Sequence, residues 1–410
     1  MPRVTAPATA PPTAPPAPEI RRARAAVAAL FLTNGALFAN LVPRYPEIKA
    51  DLALDNAAYG VAIAAFPAGA IVAGLAAAVV IRRLGSGRAA VLGTILTAVG
   101  TVLAGFSPSL LVFAGALAVA GATDAITDVA QNTHGLRVQR RYGRSIINSF
   151  HAIWSIGAVL GGSMAAGAIA LGVPRAVHLS VSGVLFAIVS LIALRFCLPG
   201  RDDESAAGSG ASAPVVRARV RPRVALILAA LVAVAIAGTL VEDAASTWAA
   251  VYLNGSLGAP AAVAAYGFVA LVGAQFVGRI MGDRLVDRFG QRAVVRVGGL
   301  IAALGMGAAL AFPSVPGTIA GFAAAGFGLA TTVPAAMHEA DEIPGLRAGT
   351  GVTLVSWLMR LGFLLSPPVV GLVADGAGLR AGLLVVPIAG VVAVLLAGVL
   401  SRRRTTEAAS

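Results

Sequence analysis

The chain has 410 residues, of which 58% are hydrophobic and 12% charged, with a mean hydropathy of +0.86 and a net charge of +13. Such an apolar composition excludes a soluble globular protein of this length. The positive charge does not indicate a nucleic-acid-binding protein, because the arginines are dispersed over short loops instead of gathered on one soluble face.

Hydrophobic stretches about 20 residues long recur twelve times, and each can cross a hydrocarbon core of about 30 Å as a helix. The predicted spans, in chain order, cover residues 24–42, 57–81, 89–106, 110–131, 145–171, 177–196, 224–253, 261–280, 294–312, 317–337, 349–373 and 381–400. The sequence therefore predicts an all-α integral membrane protein with twelve transmembrane helices.

The 31 Lys and Arg residues lie almost entirely in alternate gaps between these spans. The odd-numbered loops hold only Arg44, Lys49, Arg175 and Arg380, whereas the two tails and the even-numbered loops hold nearly all the others. Because cytoplasmic loops retain Lys and Arg, this alternation predicts that both termini are cytoplasmic. Arg360 remains inside a predicted span.

The chain divides into two halves of six spans each. Residues 1–23 are rich in Pro, Ala and Thr and are predicted to form a disordered cytoplasmic tail. Residues 198–223 contain Gly, Ser, Ala and four alternating arginines, which is typical of a linker on the cytoplasmic side. Six-helix units at 24–197 and 224–400 and a short tail at 401–410 complete the predicted organisation.

The two halves share a short basic turn at the same position. Residues 82–88 read Arg-Arg-Leu-Gly-Ser-Gly-Arg, and residues 287–292 read Asp-Arg-Phe-Gly-Gln-Arg, as expected for a duplicated six-helix unit. The second turn resembles the D-R-x-G-x-R signature of the major facilitator superfamily. The resemblance covers the chain apart from its tails and implies two pseudo-symmetric six-helix bundles.

In that superfamily the signature braces the cytoplasmic ends of neighbouring helices. The resemblance therefore implies a conformational gating role for Asp287, Arg288 and Arg292; the first turn lacks the acid, so no role is transferred to it. Residues 127–132 and 149–155 resemble a poorly characterised bacterial subgroup of the superfamily, and membership of that subgroup names no substrate.

Span four carries two acids that an apolar membrane core tolerates only if they are paired, neutralised or in contact with water. Asp124, Asp128 and Asn132 are four residues apart, so they lie on one helix face, and two neighbouring carboxylates favour holding a proton. His151 in span five has a depth close to that of Asp128. Asp124, Asp128 and His151 are proton-coupling candidates; the alternative is a structural hydrogen bond for one acid and surface exposure for the other.

Span seven carries Glu242 and Asp243, which point about 100° apart around a helix. Glu242 is the first proton-coupling candidate, because the resemblance to the subgroup extends to a glutamate here. The position of Asp243 is left open. Trp248 and Tyr252 are expected to belong to an aromatic belt at the membrane interface.

The resemblance also implies that spans one, four, seven and ten line a central cavity. Asn34 and Asn40 in span one and Thr331 in span ten are therefore substrate-binding candidates, although asparagines also connect helices structurally. Trp357 in span eleven corresponds in place to Trp154 in span five and joins these candidates.

Arg360 is the substrate-binding candidate with the most distinctive chemistry. Its guanidinium does not deprotonate in proteins, and its planar fork suits a carboxylate or phosphate. Near the middle of a span it requires either an anionic ligand or a permanent intramolecular partner. The candidate partners are Glu242, Asp124 and Asp128.

These features predict a secondary transporter of the cytoplasmic membrane, monomeric and driven by protons, that moves a small molecule by alternating access. Efflux of a small metabolite or drug, an anionic one included, is slightly favoured because the polar lining looks sparse. Import of a sugar-like or other small solute with protons is the alternative. Residues 157–162 lack the Gly-Pro pair of the drug antiporters, which weakens that assignment.

Other functional classes find little support in the sequence. No Walker, His-Glu-x-x-His or Gly-x-Ser-x-Gly motif is present, so an enzyme or an ATP-driven pump is not expected. The four histidines share no ligand spacing and there is one cysteine, so neither a metal nor another cofactor is expected. A transporter-like sensor that binds without translocating remains the alternative of a different class.

Overall fold

The structure is a computed structural model that describes residues 17–200, 222–343, 346 and 349–401. Most of the predicted tails and linker lies outside these ranges. Within the described residues every regular element is a helix, and twelve helices are long and apolar enough to cross a membrane. The prediction of an all-α protein with twelve spans is confirmed.

We label these helices α1 to α12 in chain order. They are α1 Pro18–Asp51, α2 Asn56–Gly74, α3 Ser86–Gly105, α4 Leu110–Tyr142, α5 Ile147–Ala170, α6 Arg175–Leu194, α7 Pro222–Ser256, α8 Ala261–Phe289, α9 Gln291–Ala311, α10 Val315–Asp341, α11 Thr350–Ala377 and α12 Leu379–Val399.

Several of the helices are interrupted or continued by shorter pieces. These are a 3₁₀ turn at Val42–Arg44 in α1, a helix at Ala77–Leu84 after α2, a π turn at Tyr252–Ser256 closing α7, and breaks before Thr332 in α10 and Arg360 in α11.

Some helices extend well beyond the apolar stretches from which they were predicted. The first helix begins at Pro18, inside the region predicted to be a disordered tail. Helix α4 continues to Tyr142 and α8 to Phe289, each past the polar residues that end the hydrophobic run. A hydrophobic stretch identifies only the part of a helix that crosses the membrane. The backbone hydrogen bonds of the same helix can continue into polar sequence on either side.

The twelve helices form two six-helix bundles with the same internal packing. In the first bundle α1 packs on α5 and α6, α2 packs on α4, and α3 packs on α4 and α6. In the second bundle α7 packs on α11 and α12, α8 packs on α10, and α9 packs on α10 and α12. Each contact of one bundle therefore recurs six helices later in the other, which is the predicted pseudo-symmetry.

A pair of glycines shows the same correspondence at the level of single residues. A Cβ atom on Gly121 of α4 would collide with the carbonyl oxygen of Phe66 in α2. A Cβ atom on Gly326 of α10 would collide with the carbonyl oxygen of Leu271 in α8. Both glycines stand equally far from the first residues of their helices, and small residues let membrane helices approach closely.

The two bundles meet through α2 with α11 and α5 with α8. We call the end of the molecule that carries Asn56 and Asp375 the outer end and the opposite end the basic end, following the predicted orientation. Among the described residues, the hydrogen bonds that join the bundles lie at the outer end, from Asn56 and Ala57 to Asp375 and from Tyr59 to the Thr247 carbonyl. The outer end is therefore closed.

Candidate functional site

Helix α4 places Asp124 and Asp128 on one face, as the four-residue spacing predicts. Asp124 Oδ1 accepts a hydrogen bond of 2.6 Å from Asn34 Nδ2 of α1. Asn34 Oδ1 in turn accepts one of 2.8 Å from Trp154 Nε1 of α5. Both polar atoms of the Asn34 side chain are engaged, so the amide is fixed between three helices of the first bundle.

Asp128 is linked to His151 through Asn132 rather than directly. Asn132 Nδ2 donates to Asp128 Oδ1 at 3.0 Å, and Asn132 Oδ1 lies 3.1 Å from His151 Nε2. Since an amide oxygen only accepts, this contact assigns the Nε2 hydrogen to His151. The edge of the His151 ring meets Phe31 of α1, with the ring centroids 5.2 Å apart. The predicted proximity of Asp128 and His151 thus takes the form of a three-residue chain.

In the second bundle Glu242 of α7 lies against two donors on α8. Gln275 Nε2 donates to Glu242 Oε2 at 2.8 Å, and Arg279 approaches the same oxygen at 3.6 Å. Arg279 is not among the site residues predicted from the sequence, because a charge this close to a span end is equally compatible with the basic loop that follows span eight. It nevertheless falls within the predicted span 261–280 and four residues after Gln275, which was the available signal.

Charged groups of the two bundles face each other across the interface. Arg279 acts electrostatically on His151, and Arg360 acts on Asp128. Asp128, His151 and Arg279 are exposed although groups of both bundles surround them. We call the space that these four residues line the central cleft; it is closed towards the outer end by the contacts described above.

Arg360 stands at the first residue of the outer piece of α11, immediately after the break at Met359. The carbonyl oxygen of Met359 accepts a 3.0 Å hydrogen bond from Thr239 Oγ1 of α7. One guanidinium nitrogen of Arg360 lies close to Gly74 of α2. Among the described residues it has neither a hydrogen-bond acceptor nor a carboxylate within 4 Å. An ion pair with Glu242, Asp124 or Asp128, one of the two alternatives that the sequence leaves for Arg360, is therefore not formed among the described residues.

The structure gives three other predicted substrate-binding residues different surroundings. Asn40 lies outside the central cleft, and no polar partner is seen for Thr331 or Trp357 among the described residues. Asn40 Oδ1 pairs with His178 Nε2 of α6 at 2.8 Å, and its Nδ2 donates to a carbonyl of its own helix. The methyl group of Thr331 packs on Gly282 of α8. Trp357 is 55% exposed on the inner piece of α11. Asn40 is therefore part of a structural network.

The three predicted gating residues of the signature turn between α8 and α9 differ in their contacts. Arg292 Nε donates to the Leu400 carbonyl at 3.0 Å, and a second nitrogen donates to the Gly398 carbonyl, so Arg292 ties α9 to the end of α12. Arg288 stacks on the ring of Phe289, with its Cζ 5.3 Å from the ring centroid. Asp287 is exposed. The turn therefore anchors the second bundle to its own last helix at the basic end.

The expected positions of two aromatic residues were wrong. Trp248 is fully buried and Tyr252 is 1% exposed, so neither belongs to an interfacial belt. Trp248 instead packs edge to face against Tyr59 of α2, with ring centroids 5.0 Å apart. Their predicted role followed from proximity to a span end, and the contact between bundles overrides it. Within the ranges described, no group of His, Cys, Asp and Glu is arranged to hold a metal ion.

Comparison with known proteins agrees with this architecture. The model of the Major Facilitator Superfamily matches residues 27–286 and 274–410. An uncharacterized transporter, y4wD, of Sinorhizobium fredii is 30% identical over 92% of this chain and 97% of its own length. The membrane protein MosC of Rhizobium meliloti is 29% identical over 93% of this chain and 91% of its own.

Solved structures show the same fold. The nucleoside transporter NupG superposes with a TM-score of 0.71 at 14% identity, covering 92% of this chain and 97% of that one. A bacterial homologue of the lysosomal transporter Spinster, in an inward-facing and occupied conformation, also gives 0.71, at 15% identity over 93% of this chain and 96% of that one. The chain belongs to the major facilitator superfamily and is a multi-pass membrane protein with a transporter fold.

Proposed function

We propose that the protein is a monomeric secondary transporter that moves a small organic anion across the bacterial cytoplasmic membrane together with protons, by alternating access. The observation that carries this proposal is the guanidinium of Arg360, which borders the central cleft without an acceptor among the described residues. A second guanidinium, that of Arg279, is held by Glu242 at 3.6 Å. In this proposal the solute crosses the membrane chemically unchanged.

The substrate class follows from the chemistry of guanidinium. An arginine fork binds a carboxylate or phosphate with two parallel charge-assisted hydrogen bonds, which are stronger than neutral ones. The exposure of Asp128, His151 and Arg279 indicates that water enters the cleft in this arrangement, and that water also solvates Arg360. Closing the cleft removes that water, so an anion bound to Arg360 is then needed to compensate the charge.

Proton coupling follows from the acids that share the cleft with these arginines. A proton on Glu242 would remove the carboxylate charge that holds Arg279 and make a second guanidinium available to the anion. A proton on Asp128 would remove a negative charge that faces Arg360 and repels an incoming anion. Proton and anion therefore favour each other's binding, with Asp124 and His151 as further candidates for carrying the proton.

This cooperation bears on the direction of transport. A proton and an anion that bind together move together, and an inward proton gradient then drives uptake. The sparse polar lining in the sequence slightly favoured efflux, which instead requires proton and substrate to compete for one group. The charges in the cleft favour the symport alternative, and both directions are measurable in one preparation.

The proposal is tested with the purified protein in liposomes. An imposed pH gradient, acid outside, should accumulate at least one labelled acid from a panel of small mono- and dicarboxylates, and a proton ionophore should abolish the accumulation. Accumulation of neutral sugars or nucleosides without any acid would contradict the substrate class. Binding without counterflow of the labelled acid would support the sensor alternative.

A further inference from the structure

A second group of polar side chains lies beneath the closed outer end, away from the central cleft. Tyr45 of α1, Trp248 of α7 and Asp243 of α7 are 1%, 0% and 9% exposed. The Tyr45 hydroxyl, the Trp248 indole nitrogen and Asp243 Oδ2 have no hydrogen-bond partner among the described residues. Three unpartnered polar groups buried at one junction of the two bundles are unusual in a folded protein.

The surroundings of Asp243 contain hydroxyls and rings but no counter-ion. Ser366 of α11 and Thr247 of α7 stand beside the carboxyl group. The phenols of Tyr45 and Tyr59 face it from α1 and α2.

Among the described residues, the charged group that acts on Asp243 is Glu242 on the same helix, which is itself negative. The neighbouring helices α8 and α12 contribute Arg279, which pairs with Glu242, and Arg380, which acts on Tyr252. Within the described part of the chain, no positive charge therefore compensates Asp243.

A carboxylate in this position would lack both a counter-ion and a donor for Oδ2, and an uncompensated buried charge is strongly unfavourable. A protonated Asp243 avoids that cost. When the outer end opens, water reaches the junction between α2 and α7, and the carboxylate becomes tolerable.

We propose that Asp243 is a proton-binding site of the outer end and that the proton bound there holds this end closed. The site differs from the coupling residues proposed above, since it lies outside the central cleft and no arginine of the described ranges contacts it. The sign of the effect follows from linkage: the closed form binds the extra proton, so the closed fraction rises as the pH falls. For a single linked proton, the closed-to-open ratio changes by up to about tenfold per pH unit.

The experiment measures opening of the outer end directly in the full-length protein without substrate. Spin labels on Leu171→Cys and Phe312→Cys, in a Cys197→Ser background, report the separation of the bundles, because these residues are 82% and 80% exposed at the outer ends of α5 and α9. Distance distributions are recorded between pH 5 and 9. The parental protein should shift towards the short distance as the pH falls.

Two variants test whether Asp243 is the group that titrates. Asp243→Asn is neutral at every pH and should keep the short distance throughout the range. Asp51→Asn, the same change at an outer-end acid that pairs with Arg175 within the first bundle at 2.8 Å, should retain the pH response. The proposal is overturned if the parental protein shows no response, if Asp243→Asn responds like the parent, or if sodium instead of pH controls the distance at constant ionic strength.

A third variant keeps the test informative if Asp243→Asn does not fold. Ser366→Ala removes a hydroxyl that stands beside the Asp243 carboxyl group and donates to the Leu240 carbonyl at 3.4 Å. A hydroxyl beside a carboxyl group can favour its charged form, so closure should occur at a higher pH than in the parent. An unchanged closing pH in Ser366→Ala would count against Asp243 as the group that titrates.

Discussion

Asp375 at the end of α11 accepts three hydrogen bonds from the first turn of α2, from the backbone and side-chain nitrogens of Asn56 at 3.0 and 2.9 Å and from Ala57 N at 2.8 Å. A carboxylate at a helix N-terminus satisfies orphan amides and interacts favourably with the helix dipole. Here the acid comes from the other bundle, so the cap exists only while the outer end is closed. The hydrogen bonds of Asp375 therefore stabilise the closed form of the outer end specifically.

We therefore expect Asp375→Asn to shift the resting protein towards an outer-open form, because the amide loses the charge and one of its two acceptor oxygens. The spin-label pair at positions 171 and 312 measures the shift. Asp55→Asn is the control, since Asp55 accepts from Ala58 N at 2.7 Å and caps the same helix from within its own bundle. Equal effects of the two changes would show that Asp375 contributes only to helix stability.

The sequence predicts the number of spans because hydrophobic length is a local property that a membrane requires of each helix separately. It does not predict which helices touch, since the apolar faces of α2 and α3 are equally compatible with lipid and with protein. In the sequence the repeat was visible in the basic turns and in the matching places of Trp154 and Trp357. The correspondence of Gly121 with Gly326 becomes apparent once their partners are known, because glycines are frequent throughout this chain.

The contact of Gly121 gives a second prediction. Gly121→Ala should destabilise the first bundle by about 1–3 kcal/mol, because the added Cβ meets the Phe66 backbone, which cannot yield as a side chain can. The measurement is the midpoint of thermal unfolding in detergent. Gly115→Ala in the same helix has open space around its Cβ and should be neutral or slightly stabilising. A similar loss in both variants would rule out the close approach as the cause.

In the candidate site, helical spacing was informative throughout, whereas depth in the membrane was informative for His151 and not for Arg279. The four-residue intervals placed Asp124, Asp128 and Asn132 on one face, because helical periodicity is fixed by the backbone. Arg279 was missed since a charge near a span end is compatible with either a loop or a cleft. Only the position of α8 relative to Glu242 decides between them, and that depends on tertiary packing.

A third prediction concerns the proton-coupling candidates. Glu242→Gln and Asp128→Asn remove titration while nearly preserving shape, so uptake driven by a pH gradient should fall to the level of passive equilibration. Exchange of labelled for unlabelled substrate should persist, because it requires no net proton movement. Glu47→Gln is a suitable control, since Glu47 pairs with Arg44 at 2.6 Å in the first bundle, away from the cleft. Parental rates of uphill uptake in both cleft variants would make these acids structural.

The orientation of the chain is a fourth prediction. In a background lacking Cys197, Arg380→Cys should react with a membrane-impermeant maleimide in intact cells. Arg140→Cys should react only after permeabilisation, because the basic end is predicted to face the cytoplasm. Both side chains are exposed, so accessibility to water is not limiting in either case. Labelling of Arg140→Cys in intact cells would show that the basic end faces outwards.

The last prediction tests Arg360 as the ligand of an anionic substrate. Arg360→Lys keeps the charge but loses the planar fork, and Arg360→Gln loses both. Hydrogen bonds to charged groups contribute about 1.5–3 kcal/mol, so the affinity for a transported acid should fall by roughly 10- to 100-fold in Arg360→Gln and by less in Arg360→Lys. Equilibrium binding of the labelled acid to purified protein gives the affinities.

The control for Arg360 is an arginine that makes a backbone contact instead of lining the cleft. Arg380 donates to the Ala311 carbonyl at 3.0 Å near the outer end, so Arg380→Gln should leave the affinity unchanged. Because Arg360 has no ion pair among the described residues in this arrangement, its replacement should also leave expression and thermal stability near the parental values. If Arg360→Gln instead lowered stability while every transported acid bound as before, Arg360 would be a structural partner of an acid such as Asp128 in another conformation. The anion-binding role would then be wrong.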